Sequence, residues 1–160
     1  MVAPIDLTAP DNSVTRIEAS KVRRIRGAIG VERDDGCHTL VSHAIDNLVK
    51  ELPDDVAGRV MAHVKAIIRF TQLDGTPVWF NGLAIEGPQR LTSSEIASGA
   101  NSAVHLQGKR FRLKETGQQV YDAILAAGGT PLPVPAAESG MIGDLLVTGR
   151  NWLQGIVADR

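Results

Sequence analysis

Apolar residues in this 160-residue chain recur with two different spacings. In PIDLT they alternate at Ile5 and Leu7, the period of a half-buried strand. The alternation returns at Ile68 and Phe70, at an offset of 63 residues. Each run leads into a turn signal, Asp11-Asn12 in the first and Asp74-Gly75 in the second. Asn and Gly both tolerate the positive φ that a tight hairpin demands. At the same offset Thr8 meets Thr71, Ile17 meets Phe80 and Val22 meets Ile85. At an offset of 72, Gly36 meets Gly108, Val41 meets Leu113, Leu48 meets Val120 and Leu52 meets Ile124. The chain therefore reads as one unit written twice. The second copy would carry nine additional residues, placed in the polar stretch RLTSSEIASGANS.

Each copy is predicted to run strand, turn, strand, loop, strand, tight turn, strand, helix. In the second copy the strands fall at 65–72, 77–81, 103–106 and 109–114, with the helix at 117–126. Thr116 and Gln119 form a capping box, Val120, Ile124 and Leu125 share one face, and Gly128-Gly129 stops the helix. In the first copy, Ile45, Leu48, Val49 and Leu52 predict a helix over 43–52 that ends before Pro53. The fold class expected is α+β and β-rich: two related small modules, each of four strands and a helix, with an extended C-terminal arm. The boundaries are 1–53 for the first module, 54–64 for a linker, 65–128 for the second module and 129–160 for the arm. The linker reads as a short helix capped by Asp54, with an extension of the next strand as the alternative.

The arm opens with GGTPLPVPAAESG, whose spaced prolines favour an extended polyproline-like path. Beyond it Leu145, Leu146, Trp152, Leu153 and Ile156 stand near helical spacing, interrupted by Gly143, Gly149 and Gly155. A helix broken near Gly149 and a hairpin through Thr148-Gly149-Arg150 both fit that pattern. An apolar segment on such a tether is a candidate for docking on a protein partner, and those five apolar residues are its candidate contacts.

Composition narrows the class. Hydrophobic residues make up 43%, enough for a core, but aromatics only 4%, so the core must rest on Val, Ile, Leu and Ala. A net charge of −1 provides no global cationic field, so any nucleic-acid or membrane contact must be local. The single cysteine, Cys37, excludes an internal disulfide. The N-terminal residues lack the basic and apolar regions of a secretory signal, and no apolar run approaches the roughly 18–20 residues of a membrane span. A protein made in the cytoplasm, and kept there or built into a virion, is expected.

Candidate chemistry is sparse. His38, His43, His63 and His105 show no ligand spacing, and Cys37 and His38, as strand neighbours, point to opposite faces. Glu32, Asp34 and Asp35 read as a solvated turn, and GAIGVE lacks the Lys of a phosphate loop. No catalytic residue, metal or cofactor is expected, and the chain is not read as an enzyme. Two basic runs remain, KVRRIR and GKRFRLK. Their residues Arg23, Arg24, Lys109, Arg110, Arg112 and Lys114 are candidates for contact with nucleic acid or another anionic partner. On a strand, Arg110, Arg112 and Lys114 would line one exposed face. Stacking aromatics are almost lacking, so other protein subunits are the favoured partners over nucleic acid.

The segments IIRFTQLDGTPVWFNGLAIEG and SAVHLQGKRFRLKETGQQVYDAI carry a family likeness. Residues 67–126, and more distantly 5–52, resemble the small FlbD-like proteins associated with bacterial motility, here as a tandem repeat. Thr71, Leu73, Gly75, Asn81, Gly108, Lys114, Glu115 and Thr116 stand at the positions of that pattern. The first copy lacks the Lys-Glu-Thr step and has Ser42-His43-Ala44 in its place. The resemblance implies a small β-rich module and transfers no catalytic residue. A non-enzymatic structural or assembly protein of a larger complex is expected, such as a bacteriophage head, connector or tail component. The alternative is a cytoplasmic regulator that binds DNA or a motility protein through its basic strands.

Overall fold

The computed structural model describes residues 4–136. Strand β1 (Pro4–Thr8) buries Ile5 and Leu7 and exposes Pro4 and Asp6, as the alternation requires. It pairs antiparallel with β2 (Val14–Glu18). In the turn between them Asn12 takes φ +67° and the Asp11 carboxylate accepts the Ser13 amide at 2.9 Å. The hairpin recurs as β6 (Ile67–Thr71) and β7 (Pro77–Asn81). There Gly75 takes φ +88° and Asp74 accepts the Thr76 amide at 2.9 Å. Both hairpins begin and end at an offset of 63.

The remainder of each copy repeats as well. After the first hairpin come β3 (Arg24–Gly27), a 3-10 turn (Gly30–Arg33), β4 (Thr39–Ser42), β5 (Asp46–Val49) and helix α1 (Pro53–Met61). After the second come β8 (Glu86–Gln89), helix α2 (Ser93–Ala97), β9 (Ser102–Leu106), β10 (Lys109–Leu113) and helix α3 (Gly117–Ala126). The β-rich α+β class is as expected. Each copy, however, has five strands rather than four, because β3 and β8 lie in segments read as loop.

The nine-residue insertion also disappears. The stretch assigned to it holds α2, whose counterpart is the 3-10 turn at Gly30–Arg33, and the offset grows only to 64 by the last helix. The expected helix over 43–52 is instead strand β5. Ile45 and Leu52 are 71% and 54% exposed, so the helical spacing of the apolar residues there was fortuitous. Pro53 does not end a helix but begins one: it stands in the first turn of α1, where its missing N–H has no partner to lose. Val49, Val56 and Val60, and in the second copy Leu113, Val120 and Ile124, are the true counterparts, and all six are at most 1% exposed. Asp54 lies within the first turn of α1 rather than capping it.

A glutamate holds each hairpin to the strand that precedes its helix. The Thr8 amide donates to Glu51 Oε1 at 2.9 Å, and the Thr71 amide to Glu115 Oε2 at 3.0 Å. The adjoining backbone closes the same way, with the Lys50 amide donating to the Thr8 carbonyl and the Lys114 amide to that of Thr71. The hydroxyls of Thr39 and Ser102 donate to the carbonyls of Glu51 and Glu115, both at 2.6 Å. The first copy thus keeps the Lys-Glu step as Lys50-Glu51. Only the capping threonine is replaced, by Leu52, whereas Thr116 caps α3 through the Gln119 amide as expected.

The two copies share a sheet. Its order is β5-β4-β3-β7-β6, and the central joint pairs β3 with β7 antiparallel, Ile25 opposite Trp79. β1-β2 and β10-β9-β8 form two smaller sheets. Strands on either side of residues 54–64 therefore belong to one sheet. Side chains of β7 alternate between two cores: Trp79 joins Ile5, Ile17, Ile25, Val56 and Val60, while Val78 and Phe80 join Phe70, Val104, Leu113 and Ile124. Among the described residues no helix is long and apolar enough to cross a membrane.

Gly82, which follows β7, is a point of closest packing. Its amide donates to the Ala66 carbonyl at 2.7 Å, and a Cβ there would lie 2.8 Å from both Ala127 Cβ and Ile68 Cδ1. Gly58 in α1 is exposed, with nothing within 4 Å of an added Cβ. Thermal and denaturant unfolding should separate the two. Gly82→Ala is expected to cost about 1–3 kcal/mol through overpacking, and Gly58→Ala to stabilise by about 1 kcal/mol through helix propensity.

Candidate interaction site

Two features of the fold bear on partners: an arginine-lined cleft where the copies meet, and the strand edges on either side of the joint. On β3, Arg24 and Arg26 flank the fully buried Ile25 and so face away from it. On β10, Arg110 and Arg112 stand opposite His105 and Ala103 of β9. The four arginines line one cleft of about 290 Å³, with Phe80 and Phe111 among its walls and Asp74 from the second hairpin turn.

Two of the four guanidinium groups are neutralised within the protein. Arg26 Nη1 and Nη2 donate to Glu32 at 2.8 and 2.9 Å, and Arg110 Nε and Nη2 donate to Glu95 at 2.7 and 2.8 Å. Glu32 and Glu95 are repeat counterparts, and each also accepts the amide three residues earlier, of Ile29 or Thr92, at 2.8 Å. The copies therefore conserve the carboxylate but recruit its arginine from different strands. The arginine hydrogen bonds are the main cause holding Glu32 and Glu95 far below the usual carboxylate range, at about 2, and they outweigh the upward push of burial.

Arg24 and Arg112 have no carboxylate partner among the described residues. Arg24 Cζ sits 4.6 Å from the centroid of the Phe111 ring, and its Nε is buried without a hydrogen bond. Burial, and secondarily the charge of Arg26, lower the pKa of Arg24. Arg112 is exposed, and among the described residues its side chain makes one hydrogen bond, a 3.5 Å contact from Nη1 to Ser98 Oγ.

Of the residues expected from sequence, the structure brings Arg24, Arg110 and Arg112 together. Lys109 lies in an adjoining depression that also contains Arg24 and Asp46. Arg23 does not join them. It lines a different hollow with Val22 and Asn81, because strand alternation turns it away from Arg24. Lys114 does not line the cleft either, so β10 does not present the continuous exposed strip of Arg110, Arg112 and Lys114: Arg110 is tied to Glu95. Sequence reasoning passed over Arg26 and the two glutamates. Arg26 follows Arg24 at strand period, and the offset of 63 pairs Glu32 with Glu95. Leu145, Leu146, Trp152, Leu153 and Ile156 lie outside the described residues.

The edges follow from the repeat. β3 is paired on both sides, by β4 and β7, whereas among the described residues its counterpart β8 pairs only with β9. β7 is likewise paired on both sides, whereas its counterpart β2 pairs only with β1 among the described residues. The arm reaches the open side of β8, where the Leu132 amide donates to the Gly87 carbonyl at 2.7 Å. Pro131 and Pro133 carry no N–H, so the arm covers this edge without continuing the sheet.

No family model, curated protein or solved structure matches the chain.

The glutamate pairs set an acid sensitivity. A carboxylate whose pKa falls from about 4.5 to about 2 on folding stabilises the protein fully above pH 4.5, and that contribution is lost as pH drops through 2. Melting temperature measured against pH should fall across this window. Glu32→Gln and Glu95→Gln should each flatten the fall and cost about 1–3 kcal/mol at neutral pH.

Proposed function

We propose that the protein is a non-enzymatic assembly subunit that joins its neighbours through strand edges. Such a subunit is made in the cytoplasm and built into a larger complex of the kind that forms a bacteriophage head, connector or tail. The observation that supports this reading is the unreciprocated joint between the copies. β3 of the first copy pairs with β7 of the second, but β8 and β2, which hold the corresponding positions, do not pair with each other. A contact between two different surfaces that does not close on itself propagates, and it yields rings or filaments. Among the described residues each molecule thus carries one edge of each kind that no strand pairs, that of β8 being covered by the arm, and a second copy supplies the matching strand.

A regulator that binds DNA or a motility protein through basic strands would draw on Arg24, Arg110 and Arg112 instead. The engagement of Arg110 by Glu95 weighs against a continuous cationic strip on β10.

The edges can be altered one at a time in the full chain. The Asn81 amide donates to the Arg23 carbonyl at 2.9 Å, so the alternate amides of β7, including that of Trp79, face β3. The counterpart of Trp79 on β2 is Arg16. Sedimentation or light scattering over a range of concentrations should show association of the full chain. Leu132→Pro, which removes the donor to Gly87, should shift association to lower concentration, and Arg16→Pro should abolish it while circular dichroism shows the fold retained. A full chain and a Leu132→Pro variant that both stay monomeric throughout would sink the reading.

A further inference from the structure

We propose that the cleft between β3 and β10 binds a phosphate group. The inference is independent of strand-edge assembly, because it rests on side chains rather than on backbone edges. Arg24 and Arg26 come from the first copy and Arg110 and Arg112 from the second, so the guanidinium groups reach the cleft from two different strands. With Arg26 and Arg110 neutralised by Glu32 and Glu95, the positive charge of Arg24 and Arg112 remains. The one carboxylate in the lining, Asp74, accepts the Thr76 amide at 2.9 Å and hydroxyl at 2.6 Å, both at Oδ1, and its charge leaves the cleft a single positive charge in excess.

Arg24 is the informative residue. A guanidinium half removed from water with no carboxylate at ion-pair distance among the described residues costs stability, and the ring of Phe111 and the more distant Asp46 recover only part of that cost. The second guanidinium on the same strand and face, Arg26, is balanced by Glu32, so Arg24 is the one left without an ion pair there. An anion in the cleft would supply Arg24 with a counter-charge at contact distance. Donors on two strands suit a tetrahedral oxyanion, whose oxygens point in several directions; a planar carboxylate is satisfied by a single guanidinium fork. The cleft, at about 290 Å³, has room for a phosphate and part of the molecule that carries it. Free nucleotides and a polynucleotide backbone share this chemistry.

Isothermal titration of the full chain with pyrophosphate at low salt tests the site. Saturable binding is expected, weakening as salt is raised. Arg112→Ala and Arg24→Gln should each weaken it roughly ten-fold, equivalent to about 1.4 kcal/mol, while Lys65→Ala, an exposed cation outside the cleft, should leave it unchanged. Arg112 is exposed, so its substitution reads out binding even if Arg24→Gln fails to fold. A competing oligothymidylate that displaces pyrophosphate identifies the ligand as a strand backbone, and one that does not identifies it as a free phosphate compound. Absence of saturable binding by the unaltered chain, or binding that Arg112→Ala leaves intact, overturns the proposal.

Discussion

The burial of β7 on both faces is the constraint on which the rest of the molecule depends. Four of its five residues, Val78 to Asn81, are buried. Neighbouring strands satisfy its backbone on both sides, and its side chains enter two different cores in turn. Trp79 completes a core that otherwise belongs almost wholly to the first copy, and Phe80 lies at the heart of the second. The first copy therefore cannot complete its core alone, and the second would leave Trp79 uncovered. The Asn81 side chain reinforces the joint, donating from Nδ2 to the Val22 carbonyl at 3.2 Å and accepting the Leu83 amide at 3.0 Å.

The joint also creates the arginine cleft. Pairing β3 with β7 lays Arg24 against Phe111 of β10, a contact between copies that neither strand could make within its own sheet. The position of the cation follows from the topology, whereas its lack of an ion-paired carboxylate among the described residues does not. Glu32 and Glu95 show that this chain readily supplies a carboxylate where an arginine needs one.

How much of this was legible in the sequence depended on the kind of signal. Turns and caps were readable because they rest on local chemistry: Asn12 and Gly75 at positive φ, and Thr116 with Gln119. The second copy's hairpin and last helix followed from those signals and from alternation. Short strands in irregular company were not. β8, with sequence EGPQ, has neither alternation nor β-branched residues, and its proline is tolerated because it is an edge strand. The first copy's helix was misplaced because four apolar residues at 45–52 imitate a helical face, and tertiary burial, which selects Val49 and rejects Ile45, leaves no local mark. Arg24 and Arg112 could be named as cations. That they share a cleft with Arg26 depends on a pairing between copies that no local pattern encodes.

The one-sided joint decides what either half would lack by itself. A single unit would expose the edge of its second strand and that of its third, and the second unit would also leave Trp79 without the core that covers it. With two units in one polypeptide, one marriage of these edges lies within the molecule and the other does not. The position that is Trp79 in the wedded strand is Arg16 in the bereft one, its side chain 67% exposed. The hairpin turns, the glutamate ties and the helix faces recur in both halves, whereas this position turns from core to water.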